Sequence, residues 1–388
     1  MADLEKTLNQ IKEMDQNLPT TADIDEWKQK GGRIIGWVCN YVPEEIIHAA
    51  GLLPVRITGL SCEVPYDDAN AYLYTTTCSF IRTCFQMGFD GSYDYLDGFA
   101  LASNCDQARR LYDVWDRYLG TPFKTILSVP HVKSPEAVQF FARELRDFKS
   151  GLEEAFDVSF DDEKIRESIR VYNKNRDLLK KVNEFRKLDS PPISGSQALA
   201  LINVGNKLSV ERFNAILEDV YEGLKNVEKK EGDRRPRLMI SGSCMNNINY
   251  VDFIESQGAD VVAEDMCTGM RYWWDPVSEQ PDTDPMVALS ERYLIKFPCA
   301  RMTPGEDRFE NVVDLAKDYH VDGIIQEMIR YCTPTAWERP WLRRRLEEEG
   351  FKVLPLEILY GAEGTGQLKI RIQAFLEMIG MSIGSDYF

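Results

Sequence analysis

The stretch LDGFALASNCDQARRLYDVW (residues 96–115) joins an apolar run to a run that has apolar residues at helical spacing. The apolar part, DGFALAS, is short enough to be a buried strand, and the part that begins DQARRL has the period of an amphipathic helix. Cys105 lies between the two, directly before the predicted helix. Because α/β proteins bind ligands at this junction, Cys105 is a candidate ligand of a metal or cofactor.

The same alternation of strand and helix occurs on both sides of a long, charged helical region. The strand patterns lie at residues 33–38, 53–58, 95–104 and 123–130, and again at 236–243, 259–265, 321–328 and 351–359. We therefore predict an α/β fold with two Rossmann-like lobes that have mostly parallel sheets and are joined by a helical segment. The predicted division is an N-terminal helical lead-in over residues 1–32, a first α/β lobe over 33–150, a helical connecting segment over 151–235 and a second α/β lobe over 236–388.

The 388 residues carry a formal net charge of −17. Because contacts to nucleic-acid phosphates need a basic surface, this charge argues against general nucleic-acid binding. No apolar run approaches the roughly 18–20 residues of a membrane span, and the charged N-terminus lacks the apolar core of a signal peptide. We expect no membrane contact and a cytoplasmic location.

Nine cysteines, an odd number, with no C-x-x-C pair argue against a disulfide framework and against compact zinc motifs. Five of the nine follow predicted strands, and these are Cys39, Cys105, Cys244, Cys267 and Cys332. The carboxyl ends of parallel strands form the ligand-binding edge of a sheet, so this placement predicts a metal bound by thiolates. Thiolates suit zinc and iron–sulfur clusters, and ligands so far apart in sequence favour a cluster held in a cleft. Three cysteines would hold a [4Fe–4S] cluster and leave one iron open.

Several longer motifs resemble those of the 2-hydroxyacyl-CoA dehydratase / benzoyl-CoA reductase family. The motifs are GWVCNYVPEEIIHAAGLLPVRITG (36–59), CSFIRTC (78–84), YLDGFALASNCDQARRLYDVW (95–115), ADVVAEDMCTGMRYW (259–273), IRYCTPTAWERPWL (329–342) and GQLKIRIQAFLEM (366–378). The resemblance implies a catalytic component of two related subunits with a [4Fe–4S] cluster in each. It also implies a separate ATP-hydrolysing iron–sulfur activator and an acyl-CoA thioester as substrate. In the dehydratases one electron makes a ketyl radical that expels a hydroxyl group, and in the reductases two electrons reduce an aromatic ring.

Carried over onto this sequence, the resemblance implies that Cys78, Cys105 and Cys332 bind the cluster, with Cys39 ranked fourth. Cys267 is similar to a cysteine of only some members. Cys78 lies in a helix-like stretch and not at a strand end, so its assignment depends on the motif CSFIR. The other cysteines are interpreted as buried or incidental thiols, and these are Cys62, Cys84, Cys244 and Cys299.

Three polar residues near these cysteines are candidate catalytic groups, namely Glu45, His48 and Ser103. Glu45 and His48 could form a proton relay near the cluster, or they could complement the helix dipole and line a polar helix face. Ser103 could donate to a cluster sulfur or a thioester oxygen, although capping of the next helix is an equally good reading. The sequence has no G-x-x-x-x-G-K-[ST] motif, so we assign ATP binding to a partner.

The predicted function is that of a catalytic iron–sulfur subunit of an ATP-dependent acyl-CoA-reducing enzyme. Benzoyl-CoA reductase is favoured over 2-hydroxyacyl-CoA dehydratase because the aromatic segments MRYWWDP and TAWERPW would suit a flat acyl group. A non-catalytic electron-relay or partner subunit is an alternative of another class. Two further alternatives are a reductase that uses linked clusters on small molecules and a zinc-stabilised protein that binds sugars or nucleotides.

Overall fold

The computed structural model describes residues 2–60, 64–228, 234–361 and 366–385. These ranges contain eight β-strands: β1 Ile34–Val38, β2 Leu53–Arg56, β3 Gly98–Ala102, β4 Phe123–Leu127, β5 Arg237–Ser241, β6 Asp260–Asp265, β7 Gly323–Ile329 and β8 Lys352–Ile358. All eight predicted strands are confirmed, each within a few residues of its expected bounds.

The same ranges contain sixteen α-helices and one 3₁₀-helix, Phe185–Lys187. The α-helices are α1 Ala2–Gln16, α2 Ala22–Gln29, α3 Glu44–Ala49, α4 Ala69–Tyr72, α5 Ser79–Phe89, α6 Asp106–Tyr118, α7 Pro135–Phe156, α8 Asp162–Glu184, α9 Gly195–Gly205, α10 Val210–Lys225, α11 Ile248–Ser256, α12 Met270–Trp273, α13 Pro285–Ile295, α14 Gly305–Asp318, α15 Thr333–Glu348 and α16 Gly366–Ser385. None of these helices combines the length and the apolar character that crossing a membrane requires.

The strands form two four-stranded sheets in which every neighbouring pair is parallel. The strand order is β2-β1-β3-β4 in the first sheet and β6-β5-β7-β8 in the second. In each sheet the chain starts at an inner strand, moves to one side and then returns to the other side. The order therefore reverses between β1 and β3 and again between β5 and β7, where open α/β sheets bind ligands at the carboxyl ends of the strands. The predicted fold class is confirmed.

The helical region between the sheets contains one helix that the sequence pattern does not predict. Helices α7, α8 and α10 have the expected amphipathic period, but α9 has ten buried residues out of eleven. A helix that is buried on all sides has no polar face, so its period is invisible in the sequence. Ser194 and Gln197 form a capping box at its start.

Buried side chains of both sheets belong to one continuous hydrophobic core. Ile35 of β1 and Met239 of β5 are both fully buried in this core, together with side chains of α7, α8 and α9. The core thus runs through the helical region as well. The domain boundaries given above remain a prediction.

A buried ion pair links the helical region to the second sheet. Arg186 is fully buried, and its guanidinium donates to Glu264 of β6 at 2.8 Å and to the Val261 carbonyl at 2.7 Å. Burial of either charge without its partner costs several kcal/mol, so this pair fixes the 3₁₀-helix against β6.

We expect Glu264→Gln to lower the free energy of unfolding by about 3–5 kcal/mol, because it leaves the Arg186 charge buried and unpaired. Urea unfolding followed by circular dichroism measures this change. The matched control is Glu163→Gln, which removes an exposed pair with Arg170 and should change stability little. Equal effects of the two substitutions would contradict the role given to the buried pair.

A second buried acid, Glu327 of β7, has no such partner. It is fully buried, and neither carboxylate oxygen has a hydrogen-bond partner among the described residues. Burial raises the pKa of Glu327 from its ordinary 4.5 to about 8, and the nearby Ser243 amide and Arg271 guanidinium oppose this only in part. The folded chain therefore holds a proton on Glu327 at neutral pH.

Between about pH 5 and pH 8 the unfolded chain loses this proton while the folded chain keeps it, so stability falls as the pH rises. Glu327→Gln stays neutral in both states and removes this dependence. We expect the variant to gain up to about 1.4 kcal/mol per pH unit relative to the unmodified chain in this window. Urea midpoints of the metal-free proteins at pH 5, 6.5 and 8 measure the difference. If the midpoints of the two proteins change with pH in the same way, Glu327 is ionised in the folded state and this prediction is wrong.

Candidate metal centre

One cavity collects most of the cysteines of the chain. Its volume is about 850 Å³ when the space at its open mouth is included. Seven thiols line it, those of Cys39, Cys78, Cys105, Cys244, Cys267, Cys299 and Cys332. We call it the thiol cavity. Residues of both sheets contribute to its wall, so it lies where the carboxyl ends of the two sheets meet.

The strand ends account for five of these thiols. Cys39 directly follows β1, and Cys105 follows β3 by three residues. Cys244 and Cys332 follow β5 and β7, and Cys267 follows β6. β1 and β3 flank the reversal point of the first sheet, and β5 and β7 flank that of the second. The structure thus brings together all five cysteines that the sequence places after strands, while their role as ligands stays a prediction.

The three cysteines ranked first as cluster ligands share a second feature, because each is the residue before a helix. Cys78 precedes α5, Cys105 precedes α6 and Cys332 precedes α15 as the N-cap residue. The Ala108 amide donates to the Cys105 sulfur at 3.4 Å, and the Cys332 sulfur lies 3.3 Å from the Thr335 hydroxyl. Helix N-termini carry a partial positive charge, which favours a thiolate. Cys78 therefore faces the cavity from a helix start, although no strand end precedes it.

The other four thiols lie on loops with specific contacts. Cys39 has a positive φ of 82°, so its backbone turns sharply after β1. The Asn104 amide donates to the Cys299 sulfur at 3.1 Å, and the Arg301 N–H donates to the same sulfur at 3.4 Å. The Asn40 amide donates to the Cys267 carbonyl at 2.8 Å and ties the loop after β1 to the loop after β6.

The thiols influence one another's pKa, and we divide them into two sets on that basis. Burial raises the pKa of Cys78 well above its ordinary value, and Cys332 and Cys105 raise it further. Burial likewise raises the pKa of Cys39, with further contributions from Cys267 and Cys299. The first thiol set is Cys78, Cys105 and Cys332, and the second thiol set is Cys39, Cys244, Cys267 and Cys299.

The charged residues of the thiol cavity are all cationic. Arg56, Arg271 and Arg301 line it, and its described wall contains no Asp, Glu or His. The whole chain has a formal net charge of −17, so the positive charge of the cavity wall is opposite in sign to that of the chain. Burial raises the pKa of Cys105 to about 11, so this thiol is neutral at pH 7 until a cation binds it. The positive charge of the cavity therefore suits a metal–thiolate group that is anionic overall and whose metal converts the thiols to thiolates.

The donor set fits an iron–sulfur cluster by its chemistry. Among the described residues, no three or more His, Cys, Asp or Glu side chains form a group that could hold one metal ion. The thiolates of a [4Fe–4S] cluster bind different irons, so they need not meet at one ion. Thiolates without carboxylate or imidazole are the ligand type of iron–sulfur clusters, and also of zinc. The residue types present are compatible with the predicted cluster.

The three predicted catalytic residues lie outside the described wall of the thiol cavity. Glu45 is fully buried, forms an ion pair with Arg176 and accepts a 2.8 Å hydrogen bond from the Tyr293 hydroxyl. Ser103 follows β3, and its hydroxyl accepts from the Val129 amide at 3.4 Å. These contacts favour structural roles, and a catalytic role for either residue stays a prediction.

His48 lies near the end of α3 and contacts the helical region between the sheets. Its Nδ1 is 2.9 Å from the Ser168 hydroxyl, and its Nε2 is 2.8 Å from the Glu211 carboxylate. Both ring nitrogens therefore have partners outside the thiol cavity. These contacts do not connect His48 to the cavity, and its role as a proton relay stays a prediction.

Two cysteines interpreted from the sequence as incidental, Cys244 and Cys299, lie in the thiol cavity. The sequence could have placed Cys244 in the cavity, because this cysteine follows a predicted strand. Cys299 lies between α13 and α14 and follows no strand, so no local pattern marks it. Cys84 is fully buried within α5, as expected, and Cys62 lies outside the described residues. Arg56, at the end of β2, also lines the cavity, and the sequence analysis does not single it out.

Comparison with known proteins assigns the family. The chain matches the family described as "2-hydroxyglutaryl-CoA dehydratase, D-component" over residues 39–379. It is 29% identical to one of the subunits of benzoyl-CoA reductase from Thauera aromatica over 90% of this chain and 91% of that protein. It is 25% identical to "Lactoyl-CoA dehydratase subunit beta" of Anaerotignum propionicum over 98% of this chain and 100% of that protein.

A third relative is "(R)-2-hydroxyglutaryl-CoA dehydratase, subunit beta" of Acidaminococcus fermentans, 23% identical over 91% of this chain and 94% of that protein. These relatives are reductases and dehydratases, and each is named as a subunit, which confirms the predicted enzyme types and indicates a partner subunit. The chain belongs to the 2-hydroxyglutaryl-CoA dehydratase D-component family, which the sequence motifs had indicated.

Proposed function

We propose that the chain is the iron–sulfur subunit of an ATP-dependent acyl-CoA-reducing enzyme and that the thiol cavity is its reaction centre. The observation that supports this most is the cavity itself, which joins seven thiols and three arginines at the carboxyl edges of two parallel sheets. The first thiol set would hold a [4Fe–4S] cluster, with Cys39 ranked next as a candidate ligand. When bound, such a cluster supplies single low-potential electrons to an acyl-CoA thioester.

The surrounding residues prepare the cavity for this role. The N-termini of α5, α6 and α15 favour the thiolate forms of the first thiol set. Arg271 donates to the Gly242 and Asp265 carbonyls, so it fixes the loops that follow β5 and β6. Apolar side chains, among them Phe80 and Ile329, form much of the wall and exclude water from the reacting groups.

Benzoyl-CoA is the acyl group that we favour, supported by the relative that belongs to a benzoyl-CoA reductase and by Phe80 in the cavity wall. The aromatic segments give less support than expected. Trp273 and Trp274 line a different pocket beside Arg176, and Trp337 is 82% exposed. A 2-hydroxyacyl-CoA dehydratase is therefore the close alternative, and it is supported by the relatives that are named dehydratases.

A related subunit and an ATP-hydrolysing iron–sulfur activator complete the proposed enzyme. The test is anaerobic turnover by the chain, assayed with and without a related subunit, in the presence of activator, ATP and reductant. Loss of benzoyl-CoA supports the reductase, whereas dehydration of a 2-hydroxyacyl-CoA supports the alternative. Electron uptake without turnover in every combination would identify a non-catalytic relay subunit.

The second thiol set supports a second candidate, a reductase with linked clusters that acts on small molecules. One [4Fe–4S] cluster uses at most four thiolates, and the cavity provides seven. Cys39, Cys244, Cys267 and Cys299 are the thiols that a first cluster on Cys78, Cys105 and Cys332 leaves available.

We expect Cys105→Ser and Cys332→Ser each to abolish binding of the cluster, because each removes one of three thiolates. Iron and acid-labile sulfide analysis of anaerobically purified protein, with a visible spectrum, measures the loss. The control is Cys84→Ser, which changes a buried thiol outside the cavity and should keep full iron content. Normal iron in both cavity variants, or colourless protein that contains zinc, would refute the cluster.

The iron content also separates one cluster from two. If the second thiol set holds metal, the unmodified chain contains more than four irons, and Cys267→Ser or Cys299→Ser loses the excess while keeping the first cluster. If the chain contains four irons that both variants retain, the linked-cluster candidate fails and the single-cluster proposal stands.

A further inference from the structure

Arg56 differs from the other two arginines of the thiol cavity. Arg271 donates to backbone carbonyls and lies 3.2 Å from an Asp265 carboxylate oxygen, and Arg301 donates to the Asn104 carbonyl at 3.2 Å. These two guanidinium groups therefore have protein acceptors. Arg56 forms no ion pair within the described part of the chain, and its Nη1 has no hydrogen-bond partner there.

This unpaired cation is nevertheless buried, since Arg56 is 2% exposed. An isolated charge in a protein interior is strongly unfavourable unless an opposite charge or hydrogen-bond acceptors compensate it. The guanidinium lies 4.9 Å from the Trp37 ring centre and 5.9 Å from that of Tyr272. Burial raises the pKa of the Glu44 carboxyl and Arg56 opposes this electrostatically, but these two described residues form no ion pair. Aromatic faces hold a guanidinium plane but accept none of its in-plane N–H bonds.

The backbone of Arg56 is also fixed. Its N–H donates to the Asn206 carbonyl at 3.0 Å, and its carbonyl accepts a hydrogen bond from the buried Lys207 ammonium. β2 ends at this residue, so the side chain starts at the carboxyl edge of the first sheet. The guanidinium is therefore held in place, with its Nη1 donor free, in the wall of the thiol cavity.

We infer that Arg56 donates a charge-assisted hydrogen bond to an anionic sulfur of the metal–sulfur group in the thiol cavity and thereby raises its reduction potential. Arg56 lines the same cavity as all seven thiols, so its guanidinium faces the space that such a group would occupy. A cation and a hydrogen-bond donor beside a cluster stabilise the reduced state, which carries one more negative charge. Arg56 contacts the group directly in this assignment, and the inference rests on the proposed iron–sulfur function.

The test compares the unmodified chain with Arg56→Gln and Arg56→Lys, all purified anaerobically. Iron and sulfide content, thermal unfolding with and without metal, and a redox titration followed by electron paramagnetic resonance are measured for each protein. We expect Arg56→Gln to make reduction about tenfold less favourable, which is about 59 mV more negative for one electron. Arg56→Lys keeps the charge but not the planar donor edge, so its shift should have the same sign and be smaller.

The matched control is Arg170→Gln, which removes an exposed positive charge on α8 and should leave the potential unchanged. In the metal-free proteins, Arg56→Gln should not lower the unfolding temperature, because it removes a buried charge that has no ion-pair partner among the described residues. An unmodified chain without iron and sulfide would refute the proposed function itself. An iron-loaded Arg56→Gln or Arg56→Lys protein with an unchanged potential would overturn the inference alone.

Loss of the cluster in both variants is also decisive. If the metal-free variants unfold at the same temperature as the unmodified metal-free chain, Arg56 is needed only by the metal–sulfur group, which supports the inference. If they unfold at a clearly lower temperature, Arg56 belongs to the fold and the inference is wrong.

Discussion

The constraint on which the rest of this structure depends is the cost of ionising several thiols that are buried close together. Seven thiols share one cavity, and burial raises the pKa of Cys78, Cys105 and Cys39 so that they stay neutral without added positive charge. The fold supplies positive charge from two sources, the partial charges of helix N-termini and the full charges of arginine side chains. Three helix N-termini face the first thiol set, and three arginines line the cavity. In the proposed function, a bound metal core would make the largest contribution, since partial charges at helix ends cannot ionise several buried thiols together. The parallel sheets matter because they alone bring strand ends, and the helices that follow them, to one edge.

The fold was readable from the sequence to the level of every strand. Runs such as RIIGWV and GIIQEM are short, apolar and bounded by helical periods, and those two properties identify buried parallel strands. The strand order was not readable, because which strand pairs with which depends on contacts between distant residues. Helix α9 was missed for a related reason. It is buried by both α1 and α11, so its sequence GSQALALINVG has no polar face to reveal a helical period.

The site was predictable where chemistry and local pattern coincide. A cysteine directly after a strand is visible in the sequence, so Cys39, Cys105, Cys244, Cys267 and Cys332 could be collected before any coordinates. Cys299 could not, because it reaches the cavity from an irregular connection between two helices. For Glu45 the sequence indicates position but not direction, since Glu45 lies near Cys39 in sequence. The side chain instead pairs with Arg176 of α8, and only the tertiary packing determines that direction.

The two sheets have the same strand order, and this likeness bears on how the centre assembles. Cys105 and Cys332 each follow, by three residues, the strand next to the inner starting strand of their sheet. They are therefore equivalent positions of the two sheets, yet both belong to the first thiol set. The second thiol set likewise takes Cys39 from the first sheet and Cys244 and Cys267 from the second. Neither sheet provides either set alone, so a metal–sulfur group bound here would join the two halves of the molecule. Binding of the group and the relative position of the sheets are then linked, because any ligand that binds only the assembled arrangement stabilises it by mass action. The continuous core holds the two sheets together, and the Asn40 and Arg271 hydrogen bonds tie the loops that follow β1, β5 and β6, so the thiols of these loops are held in place by the protein itself.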